Sequence, residues 1–318
     1  MKYRKIVLMS ILSAVIVILS ACGGSETANS SGKPTVKIGY LPITHAVPLY
    51  MQKEFLGENN SFNLELVKFP SWPDLMDALN TGKIDGASTL VTVAMRAKEQ
   101  GIDLKAVALG HRDGNVLVAS PNINNVQDLK GKTYAVPHEF SSHNILLYMM
   151  LEKEGVDYED VNVVEMAPAE MPAALATDRI AGYVVAEPFG AQSVVLDNAK
   201  VLYQSGELWK NSIDCALVLH GDFAKNNKKI AQDFVGSYVK AGQKAEAKGE
   251  QMRKVASKYM DVDDEVLDLS LEWISYDNLK INKEAYKKLS RYMVEMGLSE
   301  SPPSYDAFVD NSFIEKVK

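Results

Sequence analysis

Phe140-Ser141-Ser142-His143-Asn144 sets two hydroxyls, an imidazole and a carboxamide side by side. The segment follows a strand-like run and opens a helical one, where unpaired backbone N–H groups favour an anion. None of its side chains needs a fixed charge to hold one, although Ser141 also suits a plain N-cap. Further hydroxyls stand at strand ends in Thr44, Ser88 and Thr89, and Trp72 follows a second strand run as a candidate wall. Asn115 offers an amide, and His111 lies in the turn Gly110-His111-Arg112-Asp113-Gly114. Glu187 either orients a ligand amine or accepts backbone N–H bonds across a hinge, the second role being favoured. His45, His111, His138 and His143 are four of only five histidines and fall near the same edge. Imidazoles bind zinc. Without a regular ligand spacing or a His-rich loop, however, metal capture ranks below capture of an anion, and no metal site is assigned. No Ser-His-Asp order, glycine-rich phosphate loop or His-x-x-x-His pair stands out, so neither catalysis nor a cofactor is expected.

These residues are positioned by short β-branched runs at 36–40, 64–69, 104–109, 133–136, 161–165 and 180–185, alternating with helical stretches. Such alternation is the mark of an α/β chain. Ser71 and Asp74 form a capping box before Leu75, Ala78 and Leu79. The chain also repeats itself: residues 78–87 (ALNTGKIDGA) against 174–183 (ALATDRIAGY) give five identities in ten. Leu41-Pro42 and Val136-Pro137, each before a helix, recur at nearly the same offset. Two lobes of one architecture follow. Residues 34–120 and 215–318 are expected to form lobe I and residues 121–214 lobe II, with crossovers at 115–120 and 215–219. Helical periodicity at 228–247, 252–260, 264–276 and 283–296 predicts terminal helices that return to lobe I. Cys215, inside an apolar strand, reads as a buried small hydrophobe.

At 47% hydrophobic and 24% charged the composition is that of an ordinary globular protein. A net charge of −7 argues against a nucleic-acid partner. The two cysteines, Cys22 and Cys215, support no disulfide framework. Lys2, Arg4 and Lys5 precede a 14-residue apolar run, the pattern of a secretory signal over residues 1–21. The run is shorter than the roughly 20 residues that span a bilayer. Leu19-Ser20-Ala21-Cys22 resembles the lipobox of bacterial lipoproteins, which implies that Cys22 is acylated and becomes the mature N-terminus. Residues 22–33 are then a polar tether, and the location is extracytoplasmic, on the membrane through the Cys22 lipid.

Four strings in order resemble the substrate-binding proteins of ABC importers in the nitrate, sulfonate, taurine and bicarbonate branch. They are residues 39–44 (GYLPIT), 85–88 (DGAS), 136–144 (VPHEFSSHN) and 183–189 (YVVAEPF). The resemblance implies a two-lobe type II periplasmic-binding-protein fold, each lobe a β-sheet flanked by helices, with the ligand in the cleft between them. It further implies a monomer that takes up a small anion such as nitrate, bicarbonate or a sulfonate and serves an ABC permease and its ATPase. His45 stands where that branch tends to an acid and Asn115 where it carries a glutamine. The neighbouring alternatives are a binder of a thiamin pyrimidine precursor, stacking on Trp72 and Phe140, and a metal-binding lipoprotein.

Overall fold

The computed structural model describes residues 32–317; the leader and Cys22 lie outside them. In β1 (Thr35–Tyr40), Val36 and Ile38 turn into the core while Lys37 faces out, the alternation expected of a half-covered strand. β1 lies between β2 (Asn63–Lys68) and β3 (Gly86–Leu90), parallel to both. The sheet continues through β11 (Cys215–His220) to β4 (Leu104–Leu109), in the order β2-β1-β3-β11-β4. β11 arrives from far along the chain and runs antiparallel to both its neighbours.

The second sheet repeats this plan. β7 (Thr133–Val136) is parallel to β8 (Asn162–Glu165) and to β9 (Gly182–Ala186). Antiparallel β6 (Asn115–Ala119) then joins β9 to β10 (Lys200–Gln204), in the order β8-β7-β9-β6-β10. The sequence repeat therefore marks equivalent places in equivalent lobes. In the first copy Thr81 Oγ1 donates to Asp77 O at 2.6 Å and Lys83 N–H to Ala78 O at 2.9 Å. In the second, Thr177 Oγ1 donates to Ala173 O at 2.7 Å and Arg179 N–H to Ala174 O at 2.9 Å. Both helix-to-strand turns use a left-handed residue, Gly82 at φ 68° and Asp178 at φ 55°, which glycine and aspartate adopt at low cost.

Three expectations shift. Residues 115–119 pair in the second sheet, so the sheets divide at 110–114 rather than at Ser120. There the short strand β5 (Arg112–Asp113) pairs with β12 (Ile274–Ser275). Ser88 and Thr89 lie inside β3 rather than at a strand end. The terminal helices also divide between the lobes. Lys228–Glu246 packs on Val47–Phe55 of the first, whereas Asp264–Glu272 packs on Phe189–Val195 and Lys283–Glu295 on Ser142–Lys153 of the second. Among the described residues no helix is long and apolar enough to cross a membrane.

Candidate functional site

The rims of the two sheets meet at a buried polar cluster centred on Asp214. His45 lies in the short helical turn after β1, His111 in the turn after β4, and Asp214 immediately before β11. His143 enters from the second lobe, one residue into the helix Ser142–Lys153, whose N-cap Ser141 accepts the Asn144 N–H at 3.1 Å. His45 Nδ1 is 3.1 Å from Asp214 Oδ2 and His111 Nε2 is 3.5 Å from the same oxygen. His143 Nδ1 is 3.6 Å from Oδ1, which also accepts a short hydrogen bond from the Ser142 hydroxyl. The His45 and His111 rings stack at 3.4 Å between centroids. Cys215 Sγ is 3.4 Å from His45 Nδ1. None of the three imidazoles, nor Asp214, is more than 2% exposed.

Backbone carbonyls settle which ring nitrogens carry protons. A carbonyl only accepts, so Gly114 O, 3.1 Å from His45 Nε2, and Asp113 O, 2.7 Å from His111 Nδ1, each take an N–H. In a neutral ring the opposite nitrogen is then a lone pair, and both lone pairs are turned toward Asp214. Burial pushes His111 down to about 4, helped by neighbouring His45 and opposed by Asp214. Burial likewise lowers His143. Burial alone would raise the Asp214 carboxyl, but His143, His111 and His45 outweigh it and hold the carboxyl well below its ordinary value. Burial raises the Cys215 thiol, with Asp214 adding to the effect. In that tautomer the His45 and His111 rings present lone pairs to the Asp214 carboxylate, an array of acceptors that suits a cation. Ligand atoms around a tetrahedral zinc stand about 3.3 Å apart, given bonds of about 2.0–2.1 Å. The spacings of 3.1, 3.5 and 3.6 Å fall close to that value.

Comparison with known proteins places the chain. The model of the NMT1-like family matches residues 29–259. The chain belongs to the NMT1-like family. A solved ligand-binding component of an ABC-type import system from Staphylococcus aureus, with zinc bound, is 38% identical to this NMT1-like chain. The match covers 90% of this chain and 99% of that one at a TM-score of 0.86. A nitrate/nitrite binding protein from Nostoc sp. is 27% identical over 268 residues, covering 71% of this chain and 58% of the relative's length. A putative aliphatic sulfonates-binding protein from Escherichia coli is 24% identical over 256 residues, covering 79% of each. The family is one of substrate-binding proteins rather than enzymes, and the two-lobe fold is shared with them.

Of the residues singled out in the sequence, the structure gathers His45, His111, Ser142 and His143 on Asp214. Thr44 and Glu187 form a second contact between the lobes, the Thr44 N–H and Oγ1 donating to Glu187 O at 2.8 and 3.1 Å. The Glu187 carboxylate turns away, accepting from Ala191 N–H at 2.9 Å and Ser270 Oγ at 3.2 Å. Asn115 opens β6, buried with its amide lacking a protein partner. Ser88 and Thr89 sit inside β3 opposite Leu217 and Ala216, and the Thr89 hydroxyl faces Met76 Sδ at 3.3 Å. Trp72 is enclosed in the hydrophobic core. The Arg96 guanidinium lies 5.0 Å over the Phe140 ring. His138 is placed near Glu165, at 3.5 Å. Sequence reasoning missed Asp214, the residue on which the others converge. The available signal was an acid directly before the fully apolar run Cys-Ala-Leu-Val-Leu, where an uncompensated charge is costly.

Proposed function

We propose that this chain is the extracytoplasmic solute-binding component of an ABC importer and that its cargo is a divalent first-row transition-metal ion, with zinc the best match. The observation that carries it is the convergence of three buried imidazoles on one buried carboxylate at ligand spacing. The zinc-bound Staphylococcus aureus relative supports it. So do the fixed tautomers, because Gly114 O and Asp113 O orient the rings as a metal's outer partners do. A small anion is the second reading, favoured by the helix start at Ser142 and by the nitrate- and sulfonate-binding relatives. Against it, the Ser142 hydroxyl and the His143 ring are already turned to a negative group. A stacked pyrimidine is disfavoured because Trp72 is enclosed in the core and the Arg96 guanidinium lies over the Phe140 ring.

Separate calorimetric titrations with zinc, nitrate, bicarbonate, taurine, an alkanesulfonate and a thiamin pyrimidine discriminate these readings. Zinc is expected to bind one to one. Asp214→Asn should weaken it by more than the roughly 10- to 100-fold typical of an outer partner. Nitrate or a sulfonate binding where zinc does not would reverse the assignment. The leader and Cys22 support a lipid anchor. Mass spectrometry of the mature protein should find acyl groups on Cys22, and Cys22→Ala should stay unprocessed; a soluble, unacylated wild-type product would remove the anchor.

A further inference from the structure

Asp214 uses its two oxygens differently. Oδ2 faces His45 and His111, whereas Oδ1 faces Ser142 and His143. The first pair belongs to the lobe that carries Asp214 itself, and the second pair to the other lobe. Donor atoms of His45, His111, Asp214 and Cys215 all lie within 4.8 Å of one another. Every one of these four residues stands on the rim of the first sheet. Two are tied there through the backbone, with Val91 N–H donating to Asp214 O at 2.8 Å and Gly110 N–H to Cys215 O at 2.9 Å. Nitrogen and sulfur ligands on one tetrahedral zinc stand about 3.5 Å apart, and His45 Nδ1 and Cys215 Sγ are 3.4 Å apart. Ser142 and His143 reach the cluster from the second lobe, and neither ring nitrogen of His143 has a hydrogen-bond partner.

We propose, on the metal reading given above, that His45, His111, Asp214 and Cys215 form a complete four-donor half-site on the first lobe, which captures the ion before His143 arrives. On capture the Cys215 S–H bond breaks, its proton leaves to solvent and a sulfur–metal bond forms. As the lobes meet, His143 donates a ring lone pair to the ion, the sulfur–metal bond breaks and the thiolate takes a proton back from solvent. The carboxylate bridges the two stages because it faces both lobes. Cys215 is then a ligand of the capture stage, and His143 its replacement in the closed form.

Cobalt(II) is the probe, because zinc is spectroscopically silent whereas a cobalt–thiolate bond gives an intense near-ultraviolet charge-transfer band. Wild type, His143→Ala, Cys215→Ser and the double variant would be titrated with cobalt, with far-ultraviolet circular dichroism to verify that each is folded. His143→Ala should bind one cobalt and show the thiolate band, which wild type should lack once saturated. The double variant should lose the band and bind at least about tenfold more weakly than His143→Ala. A folded His143→Ala that binds cobalt without the band, or binds none, overturns the half-site. The band persisting in saturated wild type overturns the exchange. Wild type that takes up neither cobalt nor zinc overturns the metal reading itself, which keeps the two failures distinct.

Discussion

Glu187 and Asp214 are both fully buried carboxyls at the contact between the lobes, and their surroundings drive them in opposite directions. Asp214 is ringed by imidazoles and stays ionised. Glu187 has only the Ala191 N–H and the Ser270 hydroxyl, and burial raises it to about 8 against those two bonds. Between its ordinary 4.5 and about 8 the folded chain therefore holds a proton that the unfolded chain has lost. The contribution of Glu187 to stability is full below 4.5 and is lost as pH rises through about 8, an effect on the order of a few kcal/mol. Glu187→Gln keeps an acceptor for both donors and cannot ionise. Its melting temperature should fall less than that of wild type between pH 6 and pH 8.5; parallel curves for the two proteins would show that Glu187 is not neutral in the fold. Metal affinity has the opposite sign, because protons compete for the imidazole lone pairs. Zinc binding should weaken as pH drops below the ordinary histidine range toward about 4, where the lowered His111 takes up its proton.

Trp72 tests the element scale. It begins the helix Trp72–Asn80 behind the Ser71 cap, where Ser71 Oγ accepts the Asp74 N–H at 3.3 Å. Only 2% of it is exposed. Trp72→Ala should cost about 3–5 kcal/mol of stability, the range for emptying a large aromatic from a core, and leave zinc affinity unchanged in the folded fraction. A large loss of affinity at unchanged stability would return Trp72 to the ligand wall. The alternation of β1, β2, β4, β7, β8 and β9 with helices was legible because each strand is an apolar run bounded by turn residues. The repeat was legible because the same helix–turn–strand needs the same small set of residues twice. Which strand β6 or β11 pairs with was not legible, since an apolar run carries no mark of its neighbour. The cluster was hidden for the same reason: His45, His111, His143 and Asp214 lie on four separate segments, and it is the strand order, not the spacing of histidines, that brings them together. The absence of a regular histidine spacing therefore bore on local metal motifs and not on a site assembled by the fold.

Among the described residues, Thr44 with Glu187 and Asp214 with Ser142 and His143 join the lobes around the site. An ion can favour this arrangement only by binding it better than the open one, and exchange of the Cys215 sulfur for the His143 ring supplies that difference. Without the ion that contribution is lost, and the contact rests on hydrogen bonds such as Ser142 to Asp214 and Thr44 to Glu187. The lobes should therefore be more open in metal-free protein, pivoting where β5 and β12 pair beside Gly114. Gly114 is suited to that place: its φ is 79°, and a Cβ there would meet Ile274 at 2.8 Å. Small-angle scattering of chelator-treated protein should give a larger radius of gyration than the zinc-saturated form, and Asp214→Asn should keep the larger value at the same zinc concentration. Tight calorimetric binding of zinc with one unchanged radius would mean a rigid pocket, with the cargo entering by local movement of side chains rather than by closure of the lobes.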